Sequence, residues 1–310
     1  MPRLINYPHV ASMVFGVPLF ATPALVTAVK SVLEPRLLGK DTGSVESMAP
    51  LALMDEEQRA AQPERSANQL AVIPVHGILV PRRGEITESC EELVSYELLR
   101  SQIESVRHND QVAEIILDFH TGGGSALGCK EAADYIRMVS AEKRITALIN
   151  FAACSAGYFL ASACSRIVAS PTSMVGSIGV IIETYDVSRA EEAAGIKFNT
   201  FFRGGHKNDA SPHEPITDQA TLEIGRRLDA AYEMFTTSVA EYRGLDVEAV
   251  VATEAKVFSA KEALSLKLID EIAPAQDAVN AIAASYRQTE QGGSRRISAQ
   301  AHALNTQCQL

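Results

Sequence analysis

The sequence predicts an α/β protein built on a parallel sheet, and three observations carry that prediction. Two strand–tight turn–helix units follow one another, the first turning at Gly122–Gly124 and the second at Ser155. The runs feeding those turns, Val112 to Phe119 and Ile145 to Phe151, are short and mostly apolar, as in buried strands. The stretch between them, Ala126 to Ala141, returns to helical spacing. Right-handed crossovers would place both turns at one edge of the same sheet, where ligand sites of open α/β sheets form.

The elements follow in order. Leu70 to Val75 is a predicted strand that continues through Gly77 to Val80, and Ser89 to Arg107 is a predicted helix with Leu93, Tyr96, Leu99 and Ile103 in register. After the two units, Arg166 to Ala169 and Gly179 to Ile182 are predicted as short strands around the turn-rich Ser170–Ser177. Phe198 to Phe202 is predicted as another, running into the polar loop Arg203–Pro212. A long helix is expected from Asp218 to Tyr242, with Leu222, Leu228, Tyr232, Phe235 and Val239 on its broad face and Gly244 as its stop. Ser259 and Glu262 have capping-box spacing. An apolar N-terminal arm, the aperiodic Leu38–Asn68 and the polar, aperiodic Gln288–Leu310 predict an arm and linker over 1–68, a main domain over 69–287 and a disordered tail over 288–310.

Composition narrows the function. Of 310 residues, 46% are hydrophobic and 21% charged, an ordinary globular balance, and the net charge of -10 is wrong for tracking a phosphate backbone. Direct nucleic-acid binding is therefore not expected. Five cysteines (Cys90, Cys129, Cys154, Cys164, Cys308) contain no Cys-x-x-Cys pair, so they are expected as small core residues, without a disulfide framework or a metal site. Val10 to Val29 is twenty residues without a formal charge, long enough to cross a bilayer. It holds Gly16, Pro18 and Pro23 and has weak charged flanks, which favours an apolar arm packed on its own domain or on a neighbour.

Ser155, among Ala153, Cys154, Ala156 and Gly157, sits where a nucleophile on a strand-to-helix turn would be, although such a serine is more often a turn or cap residue. Gly122–Gly124 could present backbone N–H groups to a tetrahedral oxyanion, cradle a phosphate, or simply turn the chain. No lysine follows it as in a phosphate-binding loop. A serine hydroxyl needs a base. His120, His206 and His213 lie near the loops, and Lys207 is the only lysine between Lys197 and Lys256; a desolvated lysine can act as a base.

Together, Thr121-Gly122-Gly123-Gly124, Cys154-Ser155-Ala156-Gly157-Tyr158, Val175-Gly176-Ser177-Ile178-Gly179-Val180 and Gly205-His206-Lys207-Asn208-Asp209, closed by Phe258–Ala263 and Leu268-Ile269-Asp270, resemble the signal peptide peptidase A family of serine proteases. The resemblance spans about Leu70 to Ala275. It implies a Clp protease and crotonase type of fold made of repeated ββα units. Ser155 would be the nucleophile, Lys207 the base, and Gly123 or Gly124 with Ala156 the oxyanion donors; no cofactor is implied. Pro8 to Leu19 further resembles the opening of the lambda-type minor capsid protein C branch, head maturation proteases in which this apolar segment belongs to a soluble protein. That implies polypeptide substrates (scaffold, portal or capsid proteins, or the chain itself), a homo-oligomer, even a ring, and a site of action in the procapsid within the host cytoplasm. In related peptidases the serine and lysine can come from neighbouring subunits. Gly122 stands where the family usually has proline. The rival readings are a membrane-associated signal peptide peptidase anchored by Val10–Val29 and a crotonase-type acyl-CoA enzyme, which gives no reason for Ser155 with Lys207.

Overall fold

The computed structural model describes residues 14–37, 69–82 and 93–286. The expected linker and the polar tail lie outside these residues, as do Cys90, Cys308 and the first residues of the apolar arm. Three long parallel strands form the centre: β2 (Gln69–His76), β5 (Val112–Thr121) and β7 (Ile145–Cys154), in the order β2-β5-β7. Beyond β7 the sheet forks. The first half of β7, Thr146–Ile149, pairs with β8 (Arg166–Ala169), which takes β11 (Glu271–Ile272) on its far side. The second half, Ala152–Cys154, pairs with β9 (Met174–Gly176), which takes β10 (Val257–Ser259) in antiparallel fashion. Ile115, Leu117, Phe119, Ile145, Ala147 and Ile149 are fully buried, which accounts for the apolar content of the two runs.

A second sheet, β1-β6-β3-β4, caps the end where β5 and β7 stop; it joins β1 (Leu19–Ala21), β3 (Ile78–Val80), β4 (Leu93–Ser95) and β6 (Gly123–Ser125). Helix α1 (Pro23–Leu37) follows β1, α2 (Tyr96–Arg107) follows β4, α3 (Cys129–Glu142) follows β6 and α4 (Ala156–Ser162) follows β7. Ser95 caps α2 by accepting the Leu98 N–H at 3.0 Å. Then come α5 (Ser188–Ala193), α6 (Asp218–Arg243), α7 (Val247–Val251) and α8 (Ala260–Ser265). Residues 275–286 form a closing helix that covers Ile116, Leu148 and Val168 with Ala278 and Ile282.

The two predicted strand–turn–helix units stand side by side, with Thr121 paired to Ala153, so their turns share one sheet edge. The predicted caps hold as well: Gly244 ends α6 with φ 62°, and Ser259 and Glu262 form a capping box at α8.

Several expectations are corrected. The run Leu70–Val80 is two strands in two sheets, because Gly77 turns the chain at φ 81° and sends its N–H to the His120 carbonyl at 3.0 Å. Within Ser89–Arg107, residues 93–95 are a strand and the helix begins at Tyr96. Strand β9 lies inside the segment expected to be a turn, whereas Gly179–Ile182 makes only an isolated bridge, Ile181 to Leu19. Phe198–Phe202 is not a strand: residues 192–207 are exposed throughout, Phe201 at 92%. The broad face of α6 is buried only in its second half, around Phe235 and Val239, and Leu222 is 76% exposed. Gly122–Gly124 is no free turn, since Gly123 and Gly124 belong to a paired strand.

Candidate active site

Ser155 follows the last residue of β7 and precedes the first residue of α4, at φ 54° and ψ −118°. That backbone geometry is rare for a residue with a side chain and recurs where a nucleophile is lifted out of a strand-to-helix corner. The corner is locked from several sides. The Ser155 N–H donates to the Gly176 carbonyl at 2.8 Å, the Phe159 N–H donates to the Ser155 carbonyl at 2.9 Å, and Gly157 leaves no room for a side chain, since a Cβ there would lie 2.4 Å from Thr121 Cγ2. The hydroxyl itself makes one hydrogen bond among the described residues, to the Gly179 carbonyl at 3.4 Å, and the residue is fully buried.

Across from the serine runs β6. A Cβ on Gly123 would lie 3.0 Å from Ser155 Cβ and 2.1 Å from the Phe20 carbonyl oxygen, so only glycine permits this approach. The Gly123 N–H is taken by Thr121 Oγ1 at 3.0 Å, and that hydroxyl donates in turn to the Gly77 carbonyl at 2.6 Å. Gly124 lies between β1 and β3, paired with Phe20 on one side and Leu79 on the other. Ala156, at the start of α4, keeps its N–H outside the helical ladder. The corner therefore holds one buried hydroxyl, with the Gly123 backbone across from it and the Ala156 N–H at the start of α4.

The adjacent thiol is a poor rival. Burial pushes the Cys154 thiol up to about 12, and it points at the Met174 carbonyl, 3.9 Å away. Cys129 and Cys164 are also buried and free, as expected of core cysteines.

None of the candidate bases touches Ser155 within this chain. Lys207 lies at the end of the exposed segment 192–207, and its backbone N–H donates to the Gly204 carbonyl at 3.1 Å in a local turn. His206 pairs with Asp209 at 2.7 Å, and this hydrogen bond holds the Asp209 carboxyl below the usual carboxylate range. His213 pairs with Glu191 at 2.7 Å and stacks on Phe198, while His120 packs against Phe151 on the sheet face. Sequence reasoning missed the part played by Pro18–Ala21, whose backbone lies beside the serine, and by Thr121, whose hydroxyl fixes Gly123. The first was hidden in an apolar run and the second in a residue type too common to stand out.

Among the described residues no group of His, Cys, Asp and Glu side chains could hold a metal ion, and no helix is long and apolar enough to cross a membrane. Residues 137–289 match the sequence pattern of peptidase family S49. The chain is 33% identical over 306 residues to the capsid assembly protease C of Escherichia phage lambda, covering 94% of this chain and 70% of that protein. It is 32% identical over 303 residues to the head-tail preconnector protein GP5 of Enterobacteria phage P21, covering 93% of this chain but only 59% of that one. A putative signal peptide peptidase SppA of Enterococcus faecium is 25% identical over 231 residues, 73% of this chain and 66% of the relative. A serine on a strained corner, a glycine strand facing it and this likeness over nearly the whole chain agree: the chain belongs to peptidase family S49.

Proposed function

We propose that this chain is a serine endopeptidase of the Clp and crotonase type of fold that works through Ser155 and Lys207 in the assembly and maturation of a phage procapsid. The observation that carries the reading is the corner at Ser155, with its positive φ, the glycine strand opposite and the Ala156 N–H beside it. Ser155 Oγ attacks the scissile carbonyl while a lysine takes its proton. The Gly124 and Ala156 N–H groups hold the negative oxygen of the tetrahedral intermediate, a role worth roughly a hundred- to a thousand-fold in rate per donor. The intermediate collapses to an ester on Ser155, the departing amine takes the proton from the lysine, and water then releases the second fragment by the reverse sequence.

In this reading the lysine acts between copies of the chain. Lys207 sits on an exposed segment that also displays Ile196, Phe198, Phe201 and Phe202, apolar side chains of the kind that a neighbouring copy would cover. The relatives named as capsid assembly protease and head-tail preconnector support scaffold, portal or capsid polypeptides, or the chain itself, as substrates, in the host cytoplasm.

Subunit mixing tests this. Ser155→Ala and Lys207→Ala should each abolish cleavage of scaffold or portal polypeptide while leaving the fold intact, and mixing the two dead variants should restore part of the activity. Full activity in Lys207→Ala with loss in His206→Ala would replace the lysine by a histidine.

A further inference from the structure

We infer that Pro18-Leu19-Phe20-Ala21 occupies the enzyme's own peptide groove as a built-in substrate mimic. The site is therefore latent until an incoming strand, carrying a large apolar residue at the Phe20 position, takes its place. The inference rests on the peptidase reading above and adds to it an occupant and a side-chain preference.

An endopeptidase must hold its substrate extended, and two backbone edges with free pairing positions are the simplest way to do so. Two such edges flank Ser155: β6 on one side and the segment 179–183 on the other. Strand β1 lies between them and is bonded to both. The Thr22 N–H donates to the Gly122 carbonyl at 3.0 Å and the Ala126 N–H to the Pro18 carbonyl at 3.2 Å. On the other side, Leu19 and Ile181 exchange both hydrogen bonds, at 2.9 and 3.0 Å, and the Gly16 N–H donates to the Glu183 carbonyl at 2.8 Å.

The register fixes which carbonyl faces the serine. Hydrogen-bonded pairs alternate along an antiparallel ladder, so between Pro18/Ala126 and Thr22/Gly122 the next bonded pair is Phe20/Gly124. The Phe20 carbonyl thus receives the Gly124 N–H, one of the two proposed oxyanion donors. The same carbonyl lies beside Ser155 across Gly123, as the distances from the missing Gly123 Cβ show. A scissile carbonyl would occupy this place.

The side chains say what the groove selects. Phe20 is fully buried in an aromatic pocket, its ring 4.7 Å from Phe235 and 5.7 Å from Phe159. A replacement strand has to refill that pocket, which favours a large apolar residue there. Leu19 and Ala21 line an apolar cavity shared with Leu25, Val26, Leu79 and Leu93. The resident strand persists uncut because, among the described residues, no base reaches Ser155.

A reversible lock tests the inference. Leu19 and Ser125 are register partners in a non-hydrogen-bonded antiparallel pair, where Cβ atoms come close enough for a disulfide. The variant Leu19→Cys/Ser125→Cys, made with Cys90 and Cys308 changed to Ser, is compared oxidised and reduced; Cys129, Cys154 and Cys164 are buried. We expect casein cleavage to be lost on oxidation and regained with reductant. In the same variant carrying Ser155→Ala, a fluorescent peptide copying residues 16–23 at up to millimolar concentration should bind the reduced form only. It should also lose binding when its phenylalanine is changed to aspartate. Equal peptide binding in both redox states, or none in either, overturns the inference. Peptide binding that switches while neither form cleaves with Ser155 intact leaves the groove standing and removes the peptidase reading.

Discussion

Replacing Ser155 by glycine should leave a more stable protein than replacing it by alanine, reversing the order found at ordinary positions. Both changes remove the hydroxyl, which makes only a long hydrogen bond at 3.4 Å, so they share that small loss. They differ in the backbone. At φ 54° and ψ −118° a side chain is strained, and because this pair of angles falls outside the left-handed helical well, the strain belongs near the upper end of the range, about 3 kcal/mol. Glycine removes it. Against this, glycine gives up the burial of one methyl-sized group, about 0.8 kcal/mol, and loses about 0.7 kcal/mol more chain entropy on folding. The net is about 1.5 kcal/mol in favour of glycine, which for a domain of this size is a melting temperature about 3–6 °C above that of the alanine variant. Differential scanning calorimetry of the two inactive variants side by side measures it. An alanine variant as stable as the glycine variant, or more so, would show that the corner is unstrained, and the nucleophile assignment would lose its structural argument.

Other outcomes follow from the same geometry. Thr121→Val keeps the shape but orphans the Gly123 N–H and the Gly77 carbonyl, so it should cost about 1–3 kcal/mol in urea unfolding and lower kcat. Cys154 should resist iodoacetamide at pH 8 in the folded protein and react after unfolding, since burial keeps its thiol near 12; alkylation of Cys154 in the folded protein at the rate of a free thiol would show that it is not shielded. Burial alone would raise the Asp270 carboxyl, but Arg243, 2.6 Å away, and the Ile167 N–H at 2.7 Å outweigh it and hold it below the usual aspartate range. Because the folded value is the lower one, this link contributes fully above the unfolded value and fades as pH falls through the folded one. Asp270→Asn should therefore be less stable by about 1 kcal/mol at pH 7, after allowing for solvent screening, and the gap should close only below about pH 3.9. A gap that widens in acid would reverse the sign of the linkage.

How far the chain could be read from its residues depended on range. The cores of Val112–Phe119 and Ile145–Phe151 are buried, so their apolar content marked them as strands and the helix between them as a crossover, and Ser259 with Glu262 satisfy each other within one turn. Phe198–Phe202 shows the limit, since its aromatic residues read as a strand but no backbone of the described chain pairs with it and Phe201 stays 92% exposed. Likewise Gly77 carried no sign that the two halves of one apolar run enter different sheets.

The sequence by itself determined the parallel α/β order, the place of Ser155 on a strand-to-helix turn and the glycines at the same edge, because each follows from spacing along a few consecutive residues. Only the tertiary structure decided that Lys207 is exposed while Ser155 is buried, that Thr121 takes the Gly123 N–H, and that the Phe20 carbonyl comes up to Gly123 beside the serine. Those facts depend on which distant backbone edges meet, and β6 pairs with a strand about a hundred residues earlier in the chain. Hydrogen-bonding edges are the same in every residue, so no local pattern names their partners; the packing of Phe20 against Phe159 and Phe235 does.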